Sequence, residues 1–343
     1  MRIDPDKIEF LYPSAPALDG MTALRAFRPF ADEICRFLNA LSQTLMADKE
    51  AKTYPDVVTF GFFCRKGNVE KLRETYGAQI PNRLGRGVTF HIAPSNVPIN
   101  FAYSLVCGLL AGNACIVRAP TKPFPQTDIV CRAVRRVFEN DAFPSLKNHV
   151  VLARYDRDNE ITACFSSLCD VRIIWGGDDT VHEIRNIPIP PRAFDLSFAD
   201  RYSMCVIQAA AYLKNSDPLR TARDFYNDTY LFDQNACSSP RLMVWIGPPD
   251  VICEAKRRFW DALHEYVKER YAVEPVIAVD KFTALCRCAI DLAGVTHEKT
   301  PDHLIDRIRV ETLSANLERY RCAGGSFLEY DDQNLNAYAI PHA

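Results

Sequence analysis

The chain has 343 residues, 48% of them hydrophobic and 24% charged, a balance that excludes disorder as the main state. Its 41 Lys+Arg against 43 Asp+Glu leave a net charge of -2, so bulk charge gives no footprint for nucleic acid. At about 150 residues per domain, the length suggests two domains.

The N-terminus, MRIDPDKIEFLYPSAP, carries acidic residues and proline where a signal peptide needs an apolar run. The thirteen cysteines therefore read as free thiols of a reducing cytoplasm, mostly small apolar residues buried in helices. Cys286 and Cys288 lack the two-residue spacing of a zinc site, and no metal is expected. Leu24, Phe27, Ile34, Phe37, Leu38, Leu41 and Leu45 mark the apolar side of a helix or helix pair, within a mainly helical region over 1–84.

From Val88 to Val117 there is no Asp, Glu, Lys or Arg, and the stretch is long enough to span a bilayer. Pro94, Ser95, Asn96, Pro98 and Gly112-Asn113 break it instead into a strand (88–93), a buried helix (99–110) and a second strand (114–118). No transmembrane segment is expected. A helix from about Thr127 follows, whose Arg132, Arg135 and Arg136 read as a solvated face. Strands at 149–155 and 171–175, and helices at 160–167 and 181–187, continue the alternation, which predicts a doubly wound parallel sheet of the α/β class. Further on, 203–207 and 242–246 read as strands and 254–271 as an amphipathic helix. No internal repeat is present, so the boundaries rest on this pattern: one domain over 85–207 and another over 208–343.

Ligands of an open parallel sheet bind at the carboxyl ends of its strands, which singles out 94–98, 119–126 and 176–179. Gly176 and Gly177 lead into a helix whose first N–H groups can face a phosphate, although the turn is not GxGxxG. Asp178 and Asp179 fit an ordinary N-cap as well as a nucleotide contact. After the aromatic run FYNDTYLF (225–232), the small polar segment DQNACSSP (233–240) presents Cys237. Among thirteen cysteines, only its setting distinguishes it.

The blocks GRGVTFHIAPSNVP (85–98), NFAYS (100–104), GLLAGN (108–113), IVRAPTKPFPQ (116–126), IIWGGD (173–178), DLSFADRY (195–202) and DQNACSSP (233–240) resemble, in order, the acyl-CoA reductases of the LuxC type, a branch of the aldehyde dehydrogenase superfamily. The resemblance implies a Rossmann-like nucleotide domain and an α/β catalytic domain. Cys237 matches the family nucleophile, and Asn96 matches the asparagine whose amide, with the backbone N–H of the cysteine, forms the oxyanion hole. A thiol of pKa ~8.5 is only a few per cent thiolate at neutral pH, and lowering it by ~1.5 units takes about 2 kcal/mol, which helix-terminal N–H groups can supply.

The implied reaction is attack of the Cys237 thiolate on an acyl thioester, expulsion of CoA, hydride transfer from the nicotinamide to the thioacyl carbon, and collapse of the thiohemiacetal to the aldehyde. Phe198 stands where hydrolytic relatives keep a water-activating glutamate. Ser95, Arg118, Lys122, Gly176 and Gly177 are the expected cofactor contacts. Lys122, where NAD-preferring relatives have an acidic residue, favours a 2′-phosphate and therefore NADPH; a solvated lysine is the alternative. The family continues past GGSFLEY (324–330) with a Gln-Thr-x-Thr-Tyr-Phe-Gly-like block and an oligomerising tail, neither present in this sequence. The expectation is an incomplete catalytic sheet with an unpaired edge. Implied partners are an acyl-CoA or acyl-protein substrate, an acyl-activating enzyme and further copies of the chain. A non-catalytic remnant that binds the acyl-activating partner, and a cysteine acyltransferase or thioesterase, are the competing readings.

Overall fold

The computed structural model describes residues 7–94, 97–139, 141–199, 201–214, 217–313 and 317–333. The chain divides into two compact units, Met1–Asp200 and Arg201–Ala343.

The first unit is built on six strands: β1 (Glu9–Tyr12), β2 (Val88–Ile92), β3 (Ala114–Arg118), β4 (Val150–Arg154), β5 (Val171–Trp175) and β6 (Phe194–Phe198). Their order is β1-β4-β3-β2-β5-β6, all parallel except β1, which runs antiparallel to β4. Strands β2 to β4 are near-continuous apolar runs because helices cover both faces. Alternation then sorts their side chains. Cys115, Val117, Val150 and Leu152 face helices Asn100–Leu110 and Pro125–Glu139. Phe90, Ile92, Ile116 and Val151 face helices Asn159–Leu168 and Asp178–Arg185. The uncharged stretch is thus the expected strand, helix and strand.

The region 1–84 is not a separate body. Helices Asp32–Ala47 and Pro55–Cys64 extend the first of those cores with Ile34, Phe37, Leu41 and Phe60. Nor are the helix arginines merely solvated: Arg132 pairs with Glu50, Arg136 with Asp48, and Arg135 donates to the Leu11 carbonyl at 2.8 Å. The seam closes at two glycines. Gly85 N–H donates to the Phe27 carbonyl and Phe27 N–H to that of Gly112, both at 2.9 Å. Gly112 has φ +89°, and a Cβ on Gly85 would lie 2.1 Å from the Gly112 oxygen.

The second unit holds β7 (Ser203–Gln208), β8 (Pro240–Ile246), β9 (Thr296–Lys299), β10 (Asp306–Arg309) and β11 (Ser326–Asp332), ordered β7-β8-β11-β10-β9, with only β9 antiparallel to its neighbour. The expected boundary at 207/208 therefore moves to 200/201, because β7 pairs with β8 along its whole length. Helices Pro218–Thr229 and Pro249–Val267 pack on one face with Trp245, and helix Pro275–Asp291 packs on the other. Its central carboxylate, Glu329, is buried but fully partnered. It accepts from the indoles of Trp245 (3.0 Å) and Trp260 (2.9 Å) and pairs with Lys256 and Arg307.

No helix among the described residues is long and apolar enough to cross a membrane, and no group of three or more His, Cys, Asp or Glu could hold a metal ion. All thirteen cysteines are free. Their distribution corrects the expectation of buried helix residues: Cys107, Cys237, Cys253 and Cys286 are exposed, while Cys115 and Cys205 lie on strands. Two residues apart on one helix, exposed Cys286 and buried Cys288 point about 200° apart.

Candidate functional site

In the first unit, β2 leads to β3 and β4 on one side while β5 and β6 lie on the other, so the sheet reverses direction between β2 and β5. Ligands of open parallel sheets bind at the carboxyl ends flanking such a reversal. Here those ends are Ala93-Pro94 and Gly176-Gly177. Ser95 and Asn96 fall in the same connection but lie outside the described residues.

Gly176 donates to the Phe198 carbonyl at 3.3 Å, and Gly177 is the N-cap of helix Asp178–Arg185. A Cβ on Gly177 would meet nothing within 4 Å, so this turn has open space beside it. Asp178 and Asp179 belong to the helix's first turn and cap nothing, which corrects the N-cap reading. There they complement the positive end of the helix and compete with an anion for it.

Beneath this turn runs a buried polar chain. Trp175 Nε1 donates to Ser104 Oγ (3.1 Å), Ser104 Oγ lies 2.7 Å from His91 Nδ1, and His91 Nε2 lies 2.8 Å from Thr89 Oγ1, which donates to the Ala114 carbonyl at 3.1 Å. Complete burial pushes the His91 pKa down to about 3, so the ring is neutral. With the proton on Nε2, every group in the chain donates once in the same direction; the tautomer is assigned from this network. The Trp175 ring stacks on Phe198 at 3.9 Å and 9°. The sequence signal was present and unread: Thr89 and His91 are two apart in an otherwise apolar strand and share one face.

Arg118 ends β3 and donates from Nε and Nη2 to the Tyr155 carbonyl at 3.3 and 3.2 Å, with its guanidinium 4.7 Å from the Tyr155 ring centroid. Three of its five N–H groups have no acceptor among the described residues. Lys122 is exposed, its ammonium 5.3 Å from the Phe124 ring centroid.

In the second unit Cys237 is exposed, in a turn closed by Ser239 N–H donating to the Ala236 carbonyl at 3.0 Å. Strand β8 begins at Pro240, so no helix starts at this cysteine and the helix-terminal N–H groups expected to favour its thiolate are absent. The N–H groups of Cys237 and Ser238 have no acceptor among the described residues. Ser203 Oγ donates to the Cys237 carbonyl at 2.7 Å.

Gln234, unremarked in the sequence, holds this loop. It is fully buried, with a left-handed φ of +61°. Its Nε2 donates to the carbonyls of Pro240 and Ser326, each at 2.9 Å, and its Oε1 accepts from Gly325 and Ser326 N–H, each at 3.0 Å. Arg241 reinforces the tie, donating to the carbonyls of Gln234 and Cys322. One amide thus joins the cysteine loop to the start of β11.

The acyl-CoA reductase (LuxC) family model matches residues 70–273. A long-chain acyl-protein thioester reductase of Aliivibrio fischeri is 24% identical over 65% of this chain and 44% of its own length. One from Photobacterium leiognathi is 27% identical over 48% and 33%. The matched part of this chain is thus less than half the length of these relatives. Among solved structures, a salicylaldehyde dehydrogenase from Pseudomonas putida G7 has a TM-score of 0.61 at 14% identity, over 93% of this chain and 70% of its own. A benzaldehyde dehydrogenase from Corynebacterium glutamicum has 0.57 at 14%, over 94% and 75%. The fold is aldehyde-dehydrogenase-like, with a Rossmann-like unit and an α/β unit. The family match spans well over half of the sequence, and the chain belongs to the LuxC family of acyl-CoA reductases.

Proposed function

We propose that the protein reduces a fatty acyl thioester, carried on CoA or on an acyl carrier protein, to the aldehyde with NADPH, through a thioester on Cys237. The observation that carries this reading is an exposed thiol in a tight turn with its own N–H unengaged, in a chain of this family. The relatives named as acyl-protein thioester reductases support the substrate class.

The Cys237 sulfur adds to the thioester carbonyl, and its backbone N–H, with Asn96, stabilises the oxyanion; one such donor contributes about 3 kcal/mol in the transition state. Collapse breaks the bond to the carrier sulfur, which leaves as a thiolate and takes a proton from water, and the acyl group stays on Cys237. A nicotinamide cofactor held by the first unit's residues would supply the hydride for reduction of this group to the aldehyde, and Cys237 would leave as the thiolate. The open space at Gly177, the donors left on Arg118 and exposed Lys122 fit a dinucleotide with a 2′-phosphate. Ser95 and Gly176 are the remaining proposed contacts. Phe198, stacked on Trp175, puts an apolar ring in place of a water-activating carboxylate, which suits reduction over hydrolysis.

The test is NADPH oxidation with an acyl-CoA and acyl-carrier-protein series, with Cys237→Ala as control. Turnover that vanishes in the variant supports the proposal. An acyl adduct at Cys237 by intact mass without turnover limits it to the first half-reaction. Neither turnover nor adduct refutes it and leaves a non-catalytic binding role.

A further inference from the structure

Strand β7 reaches the cysteine turn through a shift in its pairing. From Met204 to Gln208 it keeps continuous parallel register with Leu242 to Ile246 of β8, but Ser203 pairs with Pro240 where continuous register would give it Arg241. Arg241 is thus the extra residue of a β-bulge, a device that is rare between parallel strands and collects beside active sites, where it re-aims a side chain. The shift sets Ser203 one residue closer to Cys237, and its Oγ donates to the Cys237 carbonyl at 2.7 Å. The bulged Arg241 in turn donates to the carbonyls of Gln234 and Cys322.

The held carbonyl belongs to the peptide that joins Cys237 to Ser238. In a planar trans peptide the C=O and the N–H point in opposite directions, so a hydroxyl that fixes the first also aims the second. The Ser238 N–H has no acceptor among the described residues. Donation by Ser203 to the carbonyl also polarises this amide, which strengthens its N–H as a donor.

We propose that Ser203 is a positioning residue for Cys237: its hydroxyl clamps the Cys237 carbonyl so that the Ser238 N–H is presented to the negative charge that forms at this cysteine. The proposal rests on Cys237 as the nucleophile and adds a second backbone donor to the cysteine's own.

Ser203→Ala removes the hydroxyl and Ser203→Thr keeps it. The measurement is the rate of Cys237 alkylation by iodoacetamide as a function of pH, read from the mass of its peptide, with exposed Cys253 and Cys286 of the same molecules as references. Alanine is expected to raise the midpoint of the Cys237 profile by about half to one pH unit, slowing the reaction near neutral pH about three- to tenfold, and to leave both references in place. Threonine is expected to stay within about twofold of wild type, and turnover of an acyl thioester to fall in the alanine variant mainly through kcat. The charged residues on the segments bonded to the turn or flanking it, Arg201, Asp228, Asp233, Arg241 and Arg321, are common to all variants, so their effect on the profile cancels. Unchanged thermal melting verifies that each variant is folded. A Cys237 profile unmoved by alanine, an equal shift at Cys253 and Cys286, or a threonine variant no better than alanine would overturn the proposal. The two readings fail separately: if Cys237→Ala retains turnover while Ser203→Ala still shifts the profile, the nucleophile assignment falls and the clamp stands.

Discussion

The turn at Gly176-Gly177 and the loop of Cys237 are positioned by different means. The first follows β5 at its carboxyl end, where the strand order of the sheet places it; its contacts are one backbone hydrogen bond, the Trp175–Phe198 stack and the start of a helix. The second precedes β8 at its amino end, where no topological rule calls for a ligand. Side-chain ties put it there, with buried Gln234 making four of the hydrogen bonds and Arg241 two. Topology spreads its constraint over many residues, whereas side-chain ties concentrate it in a few, and substitution distinguishes the two.

The largest effect expected is functional. Cys237→Ala should lower turnover by at least on the order of 10⁴-fold. Its exposure means that chemical denaturation should detect a stability change of no more than about 0.5 kcal/mol. A large loss of stability would make this cysteine part of the loop's framework instead.

Gln234→Ala should behave in the opposite way. It removes four hydrogen bonds to buried backbone groups of Pro240, Gly325 and Ser326. Leaving such groups unsatisfied should cost about 3–5 kcal/mol in urea denaturation. Cys237 in the folded variant should also be alkylated by iodoacetamide at a different rate. Gly177→Ala, which meets open space at an ordinary φ, should leave stability within about 1 kcal/mol of wild type. If the two substitutions cost the same, the contrast between the loops fails.

That contrast also explains what was readable in the sequence. The first unit alternates apolar runs with Pro, Gly and Asn breakers, so β2, β3 and β5 are visible to within a residue. Two neighbouring strands of the second unit are not: β9 reads THEK and β10 reads DRIR. Their charges are satisfied across strands, Arg307 by Glu298 and Glu329 and Arg309 by Asp331, pairings that no local pattern shows. β1 escaped notice because it joins β4 from more than a hundred residues away. Cys237 stood out only through the family blocks. Gln234 did not, since its partners Gly325 and Ser326 are about ninety residues further along the chain. Ser95 and Asn96, legible by the same resemblance, lie outside the described residues.

Acid should act on the switch-point side. His91 is held at a pKa of about 3 by burial, against about 6.5 when unfolded, so between those values the unfolded chain binds a proton that the folded one does not. Stability therefore falls as pH drops from about 6.5 toward 3, by about 1.4 kcal/mol per pH unit once well inside the window. His91→Gln can accept from Ser104 and donate to Thr89 without titrating. The difference between the two proteins' denaturation free energies should shift by that slope between pH 6 and pH 5. A constant difference would show that His91 does not remain neutral in the folded state.

The smallest effect concerns Lys122, whose exposed ammonium lies by Phe124 and has no carboxylate partner among the described residues. If it pairs with a 2′-phosphate, Lys122→Ala should raise KM for NADPH about tenfold, equivalent to about 1.4 kcal/mol, and leave KM for NADH unchanged. Arg118, at the end of the preceding strand, offers a control. Two of its donors are committed to the Tyr155 carbonyl, so Arg118→Ala should cost stability as well as cofactor affinity. A partly exposed charge pair is screened, and raising the salt should shrink the NADPH penalty of Lys122→Ala without touching the NADH values. Equal effects on both cofactors would make Lys122 a solvated loop residue and move the choice of cofactor to another side chain.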